Sequence, residues 1–145
     1  MSNGGAWALD MPMDWLVHHA AWMRELPLMI EVELDSGHRA GVVHAELWHP
    51  WDITKSNLGN AGVRERLIWG RTKIQQFLRG GLVSDTQDID MLFCGHSVVN
   101  TPTRVGNQYY LDTGAVFNTL YQTDIKGAFS FAIIKPNSTK PEIVS

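Results

Sequence analysis

Four side chains have the types that metal and phosphate chemistry use: His44, Arg71, His96 and Asp112. His44 closes the apolar run Gly41-Val42-Val43, and His96 follows the apolar run Met91-Leu92-Phe93-Cys94 through Gly95. An imidazole launched from the end of a strand stands on a rigid support. The ends of neighbouring strands lie side by side, so two such histidines can converge on one cation. Imidazole suits zinc, iron, manganese and similar divalent ions. Arg71 follows Gly70, and its permanently charged, forked guanidinium matches the oxygens of a phosphate. Asp112 ends a further apolar run in Asp-Thr-Gly-Ala. Three roles are open to it, ranked with capping the turn and orienting a histidine above direct ligation. Glu46 and Asp52 follow His44 closely and read as weaker candidates, solvated carboxylates in a loop.

Each of these residues also has an ordinary reading. A strand-end histidine is more often a hydrogen-bonded edge residue than a ligand, and Arg71 alone reads as a solvated helix arginine. His18, His19, His38 and His49 lack the strand-end context and read as structural. The six tryptophans read as core and loop anchors, because no basic groove accompanies them. Cys94, inside an apolar run, reads as a buried and inert thiol.

The elements that would position these groups follow from periodicity. Ser2 to Ala6 reads as a loop. Asp10 reads as an N-cap with Pro12 in the first turn, and Trp15, His19, Trp22, Met23 and Leu26 then recur at helical spacing until Pro27. Leu28 to Leu34 alternates as a strand, Asp35-Ser36-Gly37-His38 turns, and Arg39 to His44 returns as its hairpin partner. Leu47 to Leu58 reads as a loop over the site. Val63 to Leu78 is helical but weakened by Gly70 and Thr72, which predicts two short helices. Strands are predicted near Ile89–Cys94, Val99–Val105, Gln108–Asp112 and Ala128–Lys135, and the tail from Pro136 to Ser145 reads as frayed.

Composition sets the wider bounds. With 145 residues, 44% hydrophobic and 19% charged, the chain is expected to be globular. A net charge of −3 and an isoelectric point near 6.0 give no basic surface for nucleic acid or an acidic membrane. One cysteine excludes an internal disulfide and a thiolate cluster. With no bilayer-length apolar run, this points to the cytoplasm.

Val43-His44-Ala45, Ile68-Trp69-Gly70-Arg71, Cys94-Gly95-His96-Ser97 and Asn107-Gln108-Tyr109-Tyr110-Leu111-Asp112-Thr113-Gly114-Ala115-Val116-Phe117 occur in this order. Together they resemble the C-terminal half of a calcineurin-like metallophosphoesterase of the phosphoprotein phosphatase type, as in the bacteriophage lambda and bacterial serine/threonine phosphatases. Asn3-Gly4-Gly5 and Glu25-Leu26-Pro27-Leu28 extend the likeness, which ends near Ile134. The resemblance implies an α/β sandwich of mixed sheets flanked by helices over residues 1–135, with 136–145 as a tail. It implies two metals at the strand ends, manganese ahead of iron, zinc or nickel, and a bridging hydroxide that attacks phosphorus. On that likeness His44 and His96 would bind one metal, Arg71 would hold the substrate phosphate and Asp112 would stand behind the ligands. The substrate would be a phosphoprotein or a small phosphate ester, with dinucleoside tetraphosphates as an alternative class.

The family's other motifs are absent. The chain contains no Asp-x-His, no Asp-Arg-Gly and no Asn-His, which in the family supply the remaining ligands, the bridging carboxylate and the general acid. Glu46 and Ser97 also depart from the family's usual residues at their positions. The expectation is a fragment that encodes no general acid and only part of a dinuclear site. It would need an N-terminal half as partner, or else serve as a non-catalytic binding protein. Such a half-sandwich is expected to expose the apolar faces its partner would cover.

Overall fold

The computed structural model describes residues 5–120 and 127–145. Its centre is a five-stranded mixed sheet. Strands β1 (Met29–Glu33) and β2 (Arg39–Val43) form the antiparallel hairpin predicted around Gly37, with Met29 opposite Val43 and Glu33 opposite Arg39. Strand β3 (Met91–Cys94) lies parallel to β2. Strand β5 (Gln108–Tyr110) lies parallel to β3, and β4 (Thr103–Val105) closes the edge antiparallel to β5. The spatial order is therefore β1-β2-β3-β5-β4. The strand expected from Val99 is confined to Thr103–Val105. Pro102 cannot donate to a ladder, and it precedes the paired residues.

The long connection from β2 to β3 carries the helices. Helix α2 (Trp51–Ser56) occupies the segment read as a loop. Pro50 sets its entry and Trp51 is fully buried, so a Trp- and Pro-rich composition here marks an anchored helix. Helices α3 (Ala61–Trp69) and α4 (Thr72–Leu78) are the predicted pair, separated at Gly70 and Arg71. The Asn60 side chain accepts hydrogen bonds from the backbone N–H groups of Gly62 and Val63, which places the start of α3 two residues before Val63. These helices cover one sheet face. Trp51, Leu67 and Ile74 pack with Val43, Leu92, Cys94, Val105 and Tyr110.

The opposite face buries Ala40, Met91, Phe93 and Tyr109 beneath a second, two-stranded sheet. That sheet pairs β6 (Phe131–Ile133) with β7 (Glu142–Val144), and Ala132, Ile134 and Ile143 contribute to the core. The tail is thus paired rather than frayed. A three-residue strand carries too little alternation to be read from sequence, and its partner supplies the ladder. Coverage of this face leaves Ile30 and Val32 of β1 and Val42 of β2 exposed. A short helix α5 (Ala115–Leu120) follows the Asp-Thr-Gly turn.

The predicted first helix is α1 (Met13–Arg24), with Pro12 at its N-cap position. Asp10, expected as the cap, instead ends a 3-10 turn over Gly5–Asp10 that includes Gly5 and Ala6 of the expected loop. Ser2, Asn3 and Gly4 lie outside the described residues. None of the α1 residues is buried. Its aromatic stripe packs on itself: Trp15 stacks on His19 with ring centroids 4.5 Å apart, and Trp7 and Trp22 flank the pair.

A charged cluster ties α2 to the hairpin. Glu31 accepts hydrogen bonds from Arg39, Trp51 Nε1 and Lys55 Nζ, and Arg39 also pairs with Asp52 at 2.7 Å. Asp52 is therefore an ion-pair partner near the start of β2, remote from the strand ends that carry the histidines. The Arg39 guanidinium, then Trp51 and Lys55, hold the Glu31 carboxyl well below its ordinary 4.5, at about 2. A carboxylate with a lowered native pKa stabilises the fold above its unfolded pKa, and that stability is lost as pH falls through the native one. Between pH 4.5 and about 2 the protein should lose about 1–2 kcal/mol from this group, after allowing for solvent screening. Urea unfolding at a series of acid pH values checks this. Glu31→Gln should flatten that part of the profile, and an unchanged slope would remove Glu31 from the account.

Candidate functional site

Parallel pairing of β2 with β3 sends both chains out on the same side of the sheet. His44 directly follows β2, while Gly95 and His96 follow β3. The backbone N–H of Gly95 donates to the carbonyl of His44 at 2.9 Å, continuing the ladder past the strand ends. His96 then adopts a left-handed backbone with φ 62°, a conformation that costs a non-glycine residue about 1 kcal/mol. The turn brings His96 Nδ1 to 3.2 Å from His44 Nε2.

That separation has a chemical meaning. Two nitrogens bound at about 2.1 Å to one cation lie about 3.0 Å apart in cis octahedral geometry and about 3.4 Å apart in tetrahedral geometry. A distance of 3.2 Å falls between these limits, and it also suits a hydrogen bond between neutral imidazoles. Burial, followed by the nearby charges of Arg71 and His44, lowers the pKa of His96, while Asp112 and the Trp69 backbone act in the opposite sense. The resulting preference for the neutral ring is the state that metal ligation requires. Nε2 of His96 is buried without a hydrogen bond among the described residues, and the edge of the Trp69 ring lies against this imidazole at 5.4 Å between centroids.

Arg71 comes to the same place from the helical layer. Gly70 separates α3 from α4 because no side chain fits there. A Cβ would stand 2.6 Å from the Arg66 carbonyl and 2.8 Å from Glu46 Cγ. The guanidinium of the exposed Arg71 reaches the turn after β3, where Nη1 donates to the His96 carbonyl at 2.9 Å. Asp112 is adjacent but caps its own turn, its Oδ1 accepting from the Gly114 N–H at 3.0 Å. Its backbone carbonyl accepts from Val99, and its charge is felt at His96. The capping role, ranked first with the orienting one, is thus the contact Asp112 makes.

Glu46 departs most from the sequence reading. It is buried, not solvated. Its carboxylate accepts from the backbone N–H groups of Lys73 and Ile74 and from the Tyr110 hydroxyl. Helix α4 has no side-chain cap of its own, so these are first-turn donors that Glu46 satisfies from another element. Sequence carries no local signal of this, since the cap lies 27 residues before Lys73. The network continues through buried Lys73, which donates to Thr86, to Gln108, which donates to Thr86 and the Leu47 carbonyl. Cys94 is buried as expected, and burial pushes its thiol pKa far up.

Metal fit divides in two. The imidazole pair has the spacing of one edge of a cation site. Among the described residues, however, no group of three or more His, Cys, Asp or Glu side chains could hold a metal. The residues present fit part of a mononuclear site and do not fit a dinuclear one. No helix among them is long and apolar enough to cross a membrane. Comparison of the chain with protein-family models finds no match, and comparison with curated proteins finds none.

Proposed function

We propose that this chain is the C-terminal portion of a phosphoprotein-phosphatase-type metallophosphoesterase, contributing a two-histidine metal edge to a phosphomonoesterase site. The observation that carries the reading is the His44–His96 pair at 3.2 Å on parallel strand ends, with the Arg71 guanidinium bonded to the same turn. His44 and His96 would hold a divalent transition ion, manganese first, and Arg71 would face the phosphate of a phosphoprotein or small phosphate ester. The metal would supply charge for a phosphoryl oxygen and an activated water. The remaining ligands and the general acid would come from another segment of polypeptide, since their motifs do not occur here. The exposed Ile30, Val32 and Val42 and the unburied α1 support such a partner. The lone, buried Cys94 fits a reducing, cytoplasmic setting.

Calorimetric titration with Mn, alongside hydrolysis of an aryl phosphate, tests this. The chain should bind Mn weakly, and His44→Ala or His96→Ala should lower that affinity by at least about tenfold. The chain alone should not hydrolyse the ester. Mn binding unaffected by either substitution would defeat the reading, and turnover abolished by His96→Ala would show that the chain completes its own site.

A further inference from the structure

We propose that Arg71 is a positioning residue for His96, holding the strained turn that aims the imidazole at His44. Its functional consequence rests on the metal-edge reading, but the placement itself does not. His96 has φ 62°, a backbone region uncommon for a residue with a Cβ, entered at a small cost that local contacts offset. The groups on either side of the turn are tied by backbone bonds: Gly95 to the His44 carbonyl, Ser97 to the Gly95 carbonyl, and Val99 to the Asp112 carbonyl. The carbonyl of His96 itself is held by Arg71 Nη1 at 2.9 Å. A charge-assisted bond to that carbonyl fixes the peptide plane immediately after the imidazole-bearing Cα.

The arginine can impose this geometry because its own base is fixed. Gly70 is wedged against the Arg66 carbonyl and Glu46, and the Glu46 carboxylate holds the first turn of α4 immediately after Arg71. A guanidinium has five N–H donors, so one bond to His96 leaves others for an incoming anion. One side chain thereby links the position of His96 to the place where phosphate would bind. A residue that only bound phosphate would act on the histidine pair in phosphate-free solution through its charge alone, and would not set the backbone of His96.

The test compares wild type, R71A, R71K and R71M by NMR in metal-free, phosphate-free buffer. Wild type should show a cross-peak between the His44 and His96 rings, together with His96 Cα and Cβ shifts of a left-handed residue. R71K, whose ammonium can still donate to the carbonyl, should keep both. R71A should lose both while the amide spectrum of the sheet persists, and R71M, which keeps the aliphatic stem, replaces R71A if that variant unfolds. Mn affinity without phosphate should fall about tenfold in R71A and remain near wild type in R71K. Inorganic phosphate binding should weaken in both. An intact ring cross-peak and left-handed shifts in R71A would overturn the proposal. Failure of the metal reading looks different: the cross-peak would still depend on Arg71, while His44→Ala would leave Mn affinity unchanged.

Discussion

Glu46→Ala is expected to destabilise the protein by about 3–5 kcal/mol, because it strips a buried acceptor from several donors at once. The Lys73 and Ile74 N–H groups and the Tyr110 hydroxyl would lose their buried carboxylate. Buried Lys73 would also lose its strongest favourable charge. Burial already lowers its pKa, and Glu46 is the largest opposing influence. Against a typical total stability of about 5–15 kcal/mol, the loss brings the domain close to unfolding. Glu46→Gln should cost less, about 2–3 kcal/mol, since the amide oxygen still accepts while its NH2 meets donors. Urea denaturation with an unchanged m-value checks both. A loss below about 1 kcal/mol for Glu46→Ala would mean that water replaces the carboxylate and that α4 does not depend on it. The variant should also loosen Arg71, which immediately precedes the capped turn.

Trp51→Ala is the second large effect, again about 3–5 kcal/mol. Its ring is fully buried and lies so close to Gly41 that a Cβ there would stand 2.5 Å from Cζ3. Deleting the ring leaves a cavity between α2 and the sheet and takes one donor from Glu31. The close approach makes a converse prediction. Gly41→Ala should cost about 1–3 kcal/mol in wild type, because the buried ring cannot retreat freely. In the Trp51→Ala background it should cost much less, since only Leu92 Cδ1, 3.1 Å away, then crowds the Cβ. A double-mutant cycle measured by thermal and urea unfolding reads this coupling directly. Additive losses would mean that the two residues do not constrain one another.

The pairing of two strand-end histidines was foreshadowed because each sits where a pattern changes. His44 and His96 end apolar runs, and the structure brings them together at the ends of adjacent parallel strands. The α3–α4 break was legible for the same reason: Gly70 interrupts a helical period, and the tertiary contact that demands glycine lies beside it. The reading of Leu47 to Leu58 failed because tryptophan, proline and asparagine are ambiguous between loop and anchored helix until the burial of Trp51 is known. The tail failed because β7 is three residues long and is ordered by its pairing with β6. For α1 the helical period was correct but said nothing of what it packs against, and among the described residues the ring contacts of its stripe are with Trp7 and with one another.

Sequence by itself determined part of the local alphabet: the β1–β2 hairpin, the α1 and α3–α4 helices, where glycine and proline interrupt them, and which imidazoles follow strand ends. Those properties arise from backbone sterics and side-chain period within about ten residues. Only the tertiary structure decided that β2 and β3 are parallel neighbours, which turns two separate strand-end histidines into one pair. It alone decided that Glu46 caps a helix from 27 positions away and that Arg71 grips the His96 turn. These are contacts between elements, set by how the sheet orders its strands and which face the helices cover.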